Sequence, residues 1–238
     1  MKALAISGLV MVLSFPLSAG ALFAISYIAY RKIYKADGRT KFVQRQFYLY
    51  SFFLLLLFSI VLFIAIRLGI LDKIGLRLPS DLFRISMIGI GILVGIALYC
   101  IELHLSRFFG RISNSIWPSS KAERTSDRNL SNSYFPRFYI LVLLSIGISF
   151  CEEFIWRGFL ITLLRSNLSS SLWISIMLSS IFFGLNHYYF GLWAIISKTL
   201  DGAIWGLLFV STRNVIIPFI SHAALDIWVW KEQRCGSQ

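Results

Sequence analysis

Charge is what this sequence has least of. Asp, Glu, Lys and Arg make up 14% of the 238 residues, against 57% hydrophobic ones. Mean hydropathy is +0.74. A water-soluble domain carries about a quarter charged residues, so that class is excluded. Acidic residues are scarcest, 11 against 23 basic ones, for a formal net charge of +12. In a soluble protein such an excess points to nucleic acid. Here no nucleic-acid motif accompanies it, and the basic residues cluster between apolar runs. There they set orientation and meet anionic headgroups, so no nucleic-acid partner is expected. Cysteine is scarce too. Cys100, Cys151 and Cys235 are odd in number and widely spaced, which excludes a disulfide framework or a zinc ribbon. Cys235-Gly236-Ser237-Gln238 places a cysteine where a prenyl motif has one, but Gly236 and Ser237 are not aliphatic. Strand-like alternation is missing, which excludes a β-barrel.

What is present is a series of long uncharged runs. Span candidates lie near 4–30, 46–66, 85–103, 137–164, 171–189, 191–212 and 214–230. The fold class is therefore all-α, a polytopic helical bundle of about seven transmembrane helices. Lys2 and the small residues Ser18-Ala19-Gly20-Ala21 resemble a signal peptide, but the uncharged run from Ala3 to Tyr30 is too long for one. It reads as a retained span. The loop after the first span holds Arg31, Lys32, Lys35, Arg39, Lys41 and Arg45 against Asp37. The loop after the third holds Arg107, Arg111, Lys121, Arg124 and Arg128 against Glu123 and Asp127. The positive-inside rule places both in the cytoplasm, the N-terminus outside the cell membrane, and the C-terminus with Lys231 and Arg234 inside. Three regions follow: a three-span region 1–112, a Ser- and Asn-rich cytoplasmic linker 113–133, and a four-span region 134–238 that carries the chemistry. Gly91 with Gly95, and Gly202 with Gly206, have the small-xxx-small spacing that lets helices approach closely.

Ionisable residues inside lipid-embedded runs are costly and mark function. Glu152, Glu153 and Arg157 interrupt the fourth run. Glu153 and Arg157, four apart on a helix, face each other and pair. Glu152 is turned about 100° away and left as the reactive carboxylate. Phe183 lies four residues before His187 and walls one side of a site. His222 and Asp226 are again four apart, a spacing at which a carboxylate holds one ring nitrogen and aims the other. Lys198 and Asp201, three apart beside Gly202, are expected to neutralise one another. A glutamate with two histidines is a ligand set for hydrolytic zinc. The same set without metal holds and deprotonates one water. No His-Glu-x-x-His helix and no Gly-x-Ser-x-Gly elbow is present.

These motifs resemble those of the CAAX-protease and bacteriocin-processing family (CPBP, or Abi), which includes the type II CAAX prenyl endopeptidases. Glu-Glu-x-x-x-Arg is matched by Glu152, Glu153 and Arg157; Phe-x-x-x-His by Phe183 and His187; His-x-x-x-Asn/Asp by His222 and Asp226. The resemblance covers roughly 137 to 230; the first three spans are not diagnostic. It implies an intramembrane endopeptidase in which Glu152, His187, His222 and Asp226 are catalytic, supported by Glu153, Arg157 and Phe183. In this expectation Glu152, helped by His187, deprotonates a water, and His222 stabilises the oxyanion. The cofactor is either zinc, held by Glu152, His187 and His222, or none. The substrate is a membrane-anchored or lipidated peptide or protein, met within the lipid bilayer. Asp226 stands where prenyl proteases have asparagine; an ionised aspartate donates no hydrogen bond to an oxyanion, which leaves it the orientation of His222. The rival readings are a non-proteolytic bacteriocin-immunity-type membrane protein and a proton-coupled transporter. The transporter reading is weakened by the lack of repeat symmetry and of polar residues before Glu102.

Overall fold

The computed structural model describes residues 1–33, 39–76, 82–116, 138–188 and 192–235, and the regular structure among them is all helical. In chain order these are α1 (Lys2–Ile33), α2 (Arg39–Leu68), a single turn α3 (Leu71–Ile74) and α4 (Leu82–Ile116). Then come α5 (Phe138–Glu153), a π-helical stretch (Phe154–Ile161) and α6 (Thr162–Asn167), which form one continuous column. The chain ends with α7 (Leu172–Leu185), α8 (Leu192–Thr212) and α9 (Ile216–Cys235). Each span expected from hydropathy is a helix. The expected linker 113–133 begins inside α4, and its remainder from 117 lies outside the described residues.

Among the described residues four helices are long and apolar enough to cross a membrane, over Lys2–Ala21, Tyr48–Leu68, Ile85–Leu105 and Leu192–Thr212; Leu172–Leu185 and Ile216–Val229 are shorter apolar helices. The chain is a membrane protein by this measure. α7 falls short of the span expected over 171–189. Its 14 residues reach about 21 Å at 1.5 Å per residue, against a hydrocarbon core of about 30 Å. Asn186 and His187 leave the helix as a turn, which places them at the rim of the bundle's interior.

The α5–π–α6 column is the axis of the fold. Every residue from Cys151 to Leu164 is buried, against α2, α3, α7, α8 and α9. Large side chains such as Phe63, Leu93, Leu143 and Trp173 face outward and are well exposed, a surface suited to acyl chains rather than water. The small-residue pairs act as their spacing predicts. Gly91 and Gly95 lie against the carbonyls of Ile217 and Ser221 on α9, while Gly202 and Gly206 lie against Ser180 and Ile176 on α7. Gly75 closes α3 at φ 68° and abuts the Arg213 carbonyl, so this position needs both a left-handed backbone and no Cβ. The glycines of α4 seat it on α9, and α1 and α2 pack separately against the α5–π–α6 column, so the first three spans share one bundle with the rest.

Candidate functional site

Glu152 and Glu153 end α5 where the helix widens into the π stretch. π segments inside helices recur at functional sites because they re-aim side chains. Successive residues point in different directions, and the two carboxylates have separate partners. Glu153 Oε1 accepts from Arg157 Nη1 at 2.9 Å and lies 2.9 Å from His222 Nδ1. The guanidinium of Arg157 rests 4.2 Å from the centre of the Phe183 ring and 5.2 Å from that of Trp205. Arg157 and Glu153 are both fully buried. A charge at that depth persists only when paired, and this pair, expected from its spacing, is made.

Glu152 is turned away from Arg157. Its Oε1 accepts the hydroxyl of Tyr50, from α2. Its Oε2 lies 3.8 Å from His222 Nε2. That is beyond a hydrogen bond and is a spacing at which one small oxygen can touch both atoms. His222, on α9, stacks on Trp205 with ring centres 4.1 Å apart and planes at 21°. Trp205 is itself anchored by its indole N–H donating to Ser221 Oγ at 3.0 Å. The imidazole is thus fixed in plane by the stack and in rotation by Glu153.

One expected contact of this residue is made by another group. Asp226 was the group expected to hold one nitrogen of His222. Its Oδ2 is 3.9 Å from Nε2, and it accepts the Ser149 hydroxyl at 2.8 Å instead. Glu153 takes the orienting contact because it comes from a neighbouring helix in the plane of the ring, whereas Asp226 is one turn further along α9. An ionised carboxylate only accepts, so with Glu153 ionised Nδ1 carries the proton that faces it, and in the neutral ring Nε2 keeps its lone pair.

His187 occupies the turn after α7. Its backbone N–H donates to the Gly184 carbonyl at 2.9 Å, and ring Nδ1 bonds the Phe183 carbonyl at 3.0 Å. A carbonyl only accepts, so here too Nε2 is the acceptor of the neutral ring. Phe183 stands between the imidazoles, with its ring centre 4.8 Å from His187 and 5.8 Å from His222. Asn186, next to His187, donates to the Tyr50 hydroxyl oxygen. The three motifs of the second half therefore meet in one cluster.

Sequence reasoning missed Tyr50, Asn186, Trp205 and Ser149. A tyrosine, tryptophan or serine in an apolar run looks the same whether it faces lipid or a carboxylate, and no spacing rule links α2 to α5. Asn186 had a weak signal, a second polar residue beside His187. Lys198 pairs with Asp201 at 3.2 Å as expected, and more closely with Glu102 of α4 at 2.6 Å. This ion cluster ties α4 to α8.

Zinc was one expected cofactor. Among the described residues no three His, Cys, Asp or Glu side chains converge at metal-ligand spacing. Nδ1 of each imidazole is engaged and Tyr50 holds one oxygen of Glu152, which leaves Nε2 of both rings and Oε2 of Glu152 as the atoms that would face a zinc ion.

Residues 134–228 match the family described as Rce1-like, type II CAAX prenyl endopeptidase Rce1-like. No curated protein and no solved structure matches the chain. The matched segment runs from the approach to α5 into α9 and holds Glu152, Glu153, Arg157, Phe183, His187, His222 and Asp226. Tyr50 lies outside it.

Proposed function

With an Rce1-like domain, the domain of a protease family, over residues 134–228 as premise, we propose that this protein is an intramembrane endopeptidase. It hydrolyses a peptide bond of a membrane-anchored or lipidated substrate with a water activated by Glu152 and histidine. The observation that carries this reading is the pair Glu152 Oε2 and His222 Nε2, 3.8 Å apart, both side chains buried and neither atom hydrogen-bonded to another described residue. One water bridging them would donate a hydrogen bond to each acceptor and turn its lone pair outward, toward a carbonyl carbon. Proximity and orientation of this kind lower the barrier before any bond changes.

The steps follow from that placement. Glu152 Oε2 takes one water proton as general base. The hydroxide oxygen forms a bond to the scissile carbonyl carbon, whose oxygen takes up the negative charge. His222 Nε2 holds the remaining O–H, steadied behind by Glu153. The tetrahedral centre then collapses, the C–N bond breaks, and the proton on Glu152 passes to the departing amine. His187, with Nε2 as an acceptor, assists the transfer at Glu152. Asp226, bonded to Ser149, keeps a second carboxylate beside His222 and thereby favours any positive charge that develops on the ring.

The orientation with the N-terminus outside and the C-terminus in the cytoplasm belongs to the same proposal. It rests on Arg and Lys in the loops after the first and third spans. The site would then open toward the cytoplasmic half through the turn that bears Asn186 and His187.

The test uses purified protein in proteoliposomes with a lipid-tethered fluorogenic peptide. Wild type is expected to cleave it, and Glu152→Ala and His222→Ala to lose about 10²-fold or more of the rate. Undiminished cleavage by either variant ends the proposal. Absence of cleavage by wild type across lipidated and unlipidated peptides would favour an immunity-type role without proteolysis.

A further inference from the structure

We propose that Tyr50, on a helix outside the matched domain, is a positioning residue for Glu152. The inference rests on the peptidase reading and deepens it, because it makes the N-terminal spans part of the reacting site rather than a membrane anchor.

Tyr50 and Glu152 are 102 positions apart, and the phenol hydroxyl donates to Glu152 Oε1. Among the described residues Tyr50 is the hydrogen-bond donor recorded at that carboxylate. The phenol oxygen in turn accepts from Asn186 Nδ2. An amide NH₂ has no lone pair to offer, and a phenol has a single proton. With Asn186 filling a lone pair of the phenol oxygen, the phenol proton has one destination, the carboxylate. The chain Asn186–Tyr50–Glu152 therefore has a defined polarity. It ends by pinning Oε1 and turning Oε2 toward His222.

A glutamate left to itself has three rotatable bonds, and a base that wanders by an ångström loses much of its advantage. Glu153 is held by Arg157 and His222 together. Glu152 has no cation within its own turn, so Tyr50 supplies the constraint. The tyrosine ring is seated by Phe15 of α1, with ring centres 6.3 Å apart. α1 thus backs α2, α2 presents the phenol, and α5 presents the carboxylate. The other end of the chain is Asn186, beside His187 on the turn after α7. The same bond thereby sets the distance between the carboxylate and the turn that carries the second histidine.

The experiment is Tyr50→Phe, which keeps the ring and its contact with Phe15 and removes only the hydroxyl. In proteoliposomes with the lipid-tethered peptide, kcat is expected to fall roughly ten- to hundred-fold, the loss of one hydrogen bond to a charged group. KM is expected to stay within about twofold, because a positioning role acts on the reacting geometry and not on ground-state binding. The thermal unfolding midpoint in detergent should fall by no more than the loss of one hydrogen bond allows, with the protein folded at the assay temperature. Tyr48→Phe, on the exposed side of the same helix, should leave kcat unchanged. Asn186→Ala should lower kcat in the same direction and add little to Tyr50→Phe, because its contact with Glu152 passes through the phenol. Wild-type kcat in Tyr50→Phe overturns the assignment, as does a loss that appears in KM together with a lowered unfolding midpoint. The two levels separate cleanly. An inactive wild type sinks the peptidase reading and this inference with it. An active wild type, an inactive Glu152→Ala and a fully active Tyr50→Phe sink the Tyr50 assignment alone.

Discussion

Replacing Arg157 with methionine removes the cation and keeps much of the side chain's volume. Glu153 is then left fully buried, with His222 Nδ1 at 2.9 Å as its one remaining partner. Breaking a buried ion pair by deleting one member costs about 3–5 kcal/mol, because the survivor is an uncompensated charge in a medium of low dielectric. The guanidinium also lies over Phe183 and Trp205. A desolvated cation–π contact is worth up to about 2 kcal/mol, part of which methionine recovers through sulfur–aromatic contact. The expected net loss of about 4 kcal/mol lowers the folded-to-unfolded ratio by roughly three orders of magnitude. Deleting both members is the informative control. Glu153→Gln with Arg157→Met removes the stranded charge, and the glutamine carbonyl still accepts from His222 Nδ1. Exchanging a buried pair for uncharged groups is often neutral, so the double variant should be markedly more stable than Arg157→Met alone. Reversible unfolding in mixed micelles, titrated with a denaturing detergent and followed by tryptophan fluorescence, reads both. An Arg157→Met protein as stable as wild type, or a double variant less stable than the single one, refutes the argument.

Two further predictions address packing and metal. A Cβ on Gly95 would overlap the Ser221 carbonyl, so Gly95→Ala should push α4 off α9 at a cost of about 1–3 kcal/mol. The unfolding midpoint in detergent measures this, and an unshifted midpoint contradicts the packing described. If Glu152 and His222 alone activate the water, as proposed, treatment with a strong chelator should leave turnover of the lipid-tethered peptide unchanged. Activity lost with chelator and restored by zinc would overturn that expectation.

Much of the architecture was legible in the sequence. Runs without charge become helices because lipid offers no partner for backbone N–H and C=O groups, so each run must satisfy them internally. Contacts within one helix were legible for a related reason: residues four apart share a face. The Glu153–Arg157 pair came directly from that rule. The His222–Asp226 spacing obeys the same rule and was still misleading. Asp226 lies 3.9 Å from Nε2 while Glu153 approaches Nδ1 at 2.9 Å from another helix. Periodicity names the neighbours available on one helix and is silent about a better partner across a helix interface. α7 shows the same limit for length. Hydropathy extends its run to 189, but the turn at Asn186 and His187 stops the helix at Leu185.

Read alone, the amino-acid order determined that this is an all-helical membrane protein, where its helices run, and which side chains had to find polar partners or a reaction. Tertiary structure alone decided which partners they found. It brought Tyr50 from α2 to Glu152, set Glu153 and not Asp226 behind His222, and stacked Trp205 beneath the imidazole. The reason is physical. A helix repeats every 3.6 residues and so encodes its own faces. How two helices are rotated and crossed depends on small residues such as Gly95 and Gly202 and on the whole packed interior, which no local spacing records.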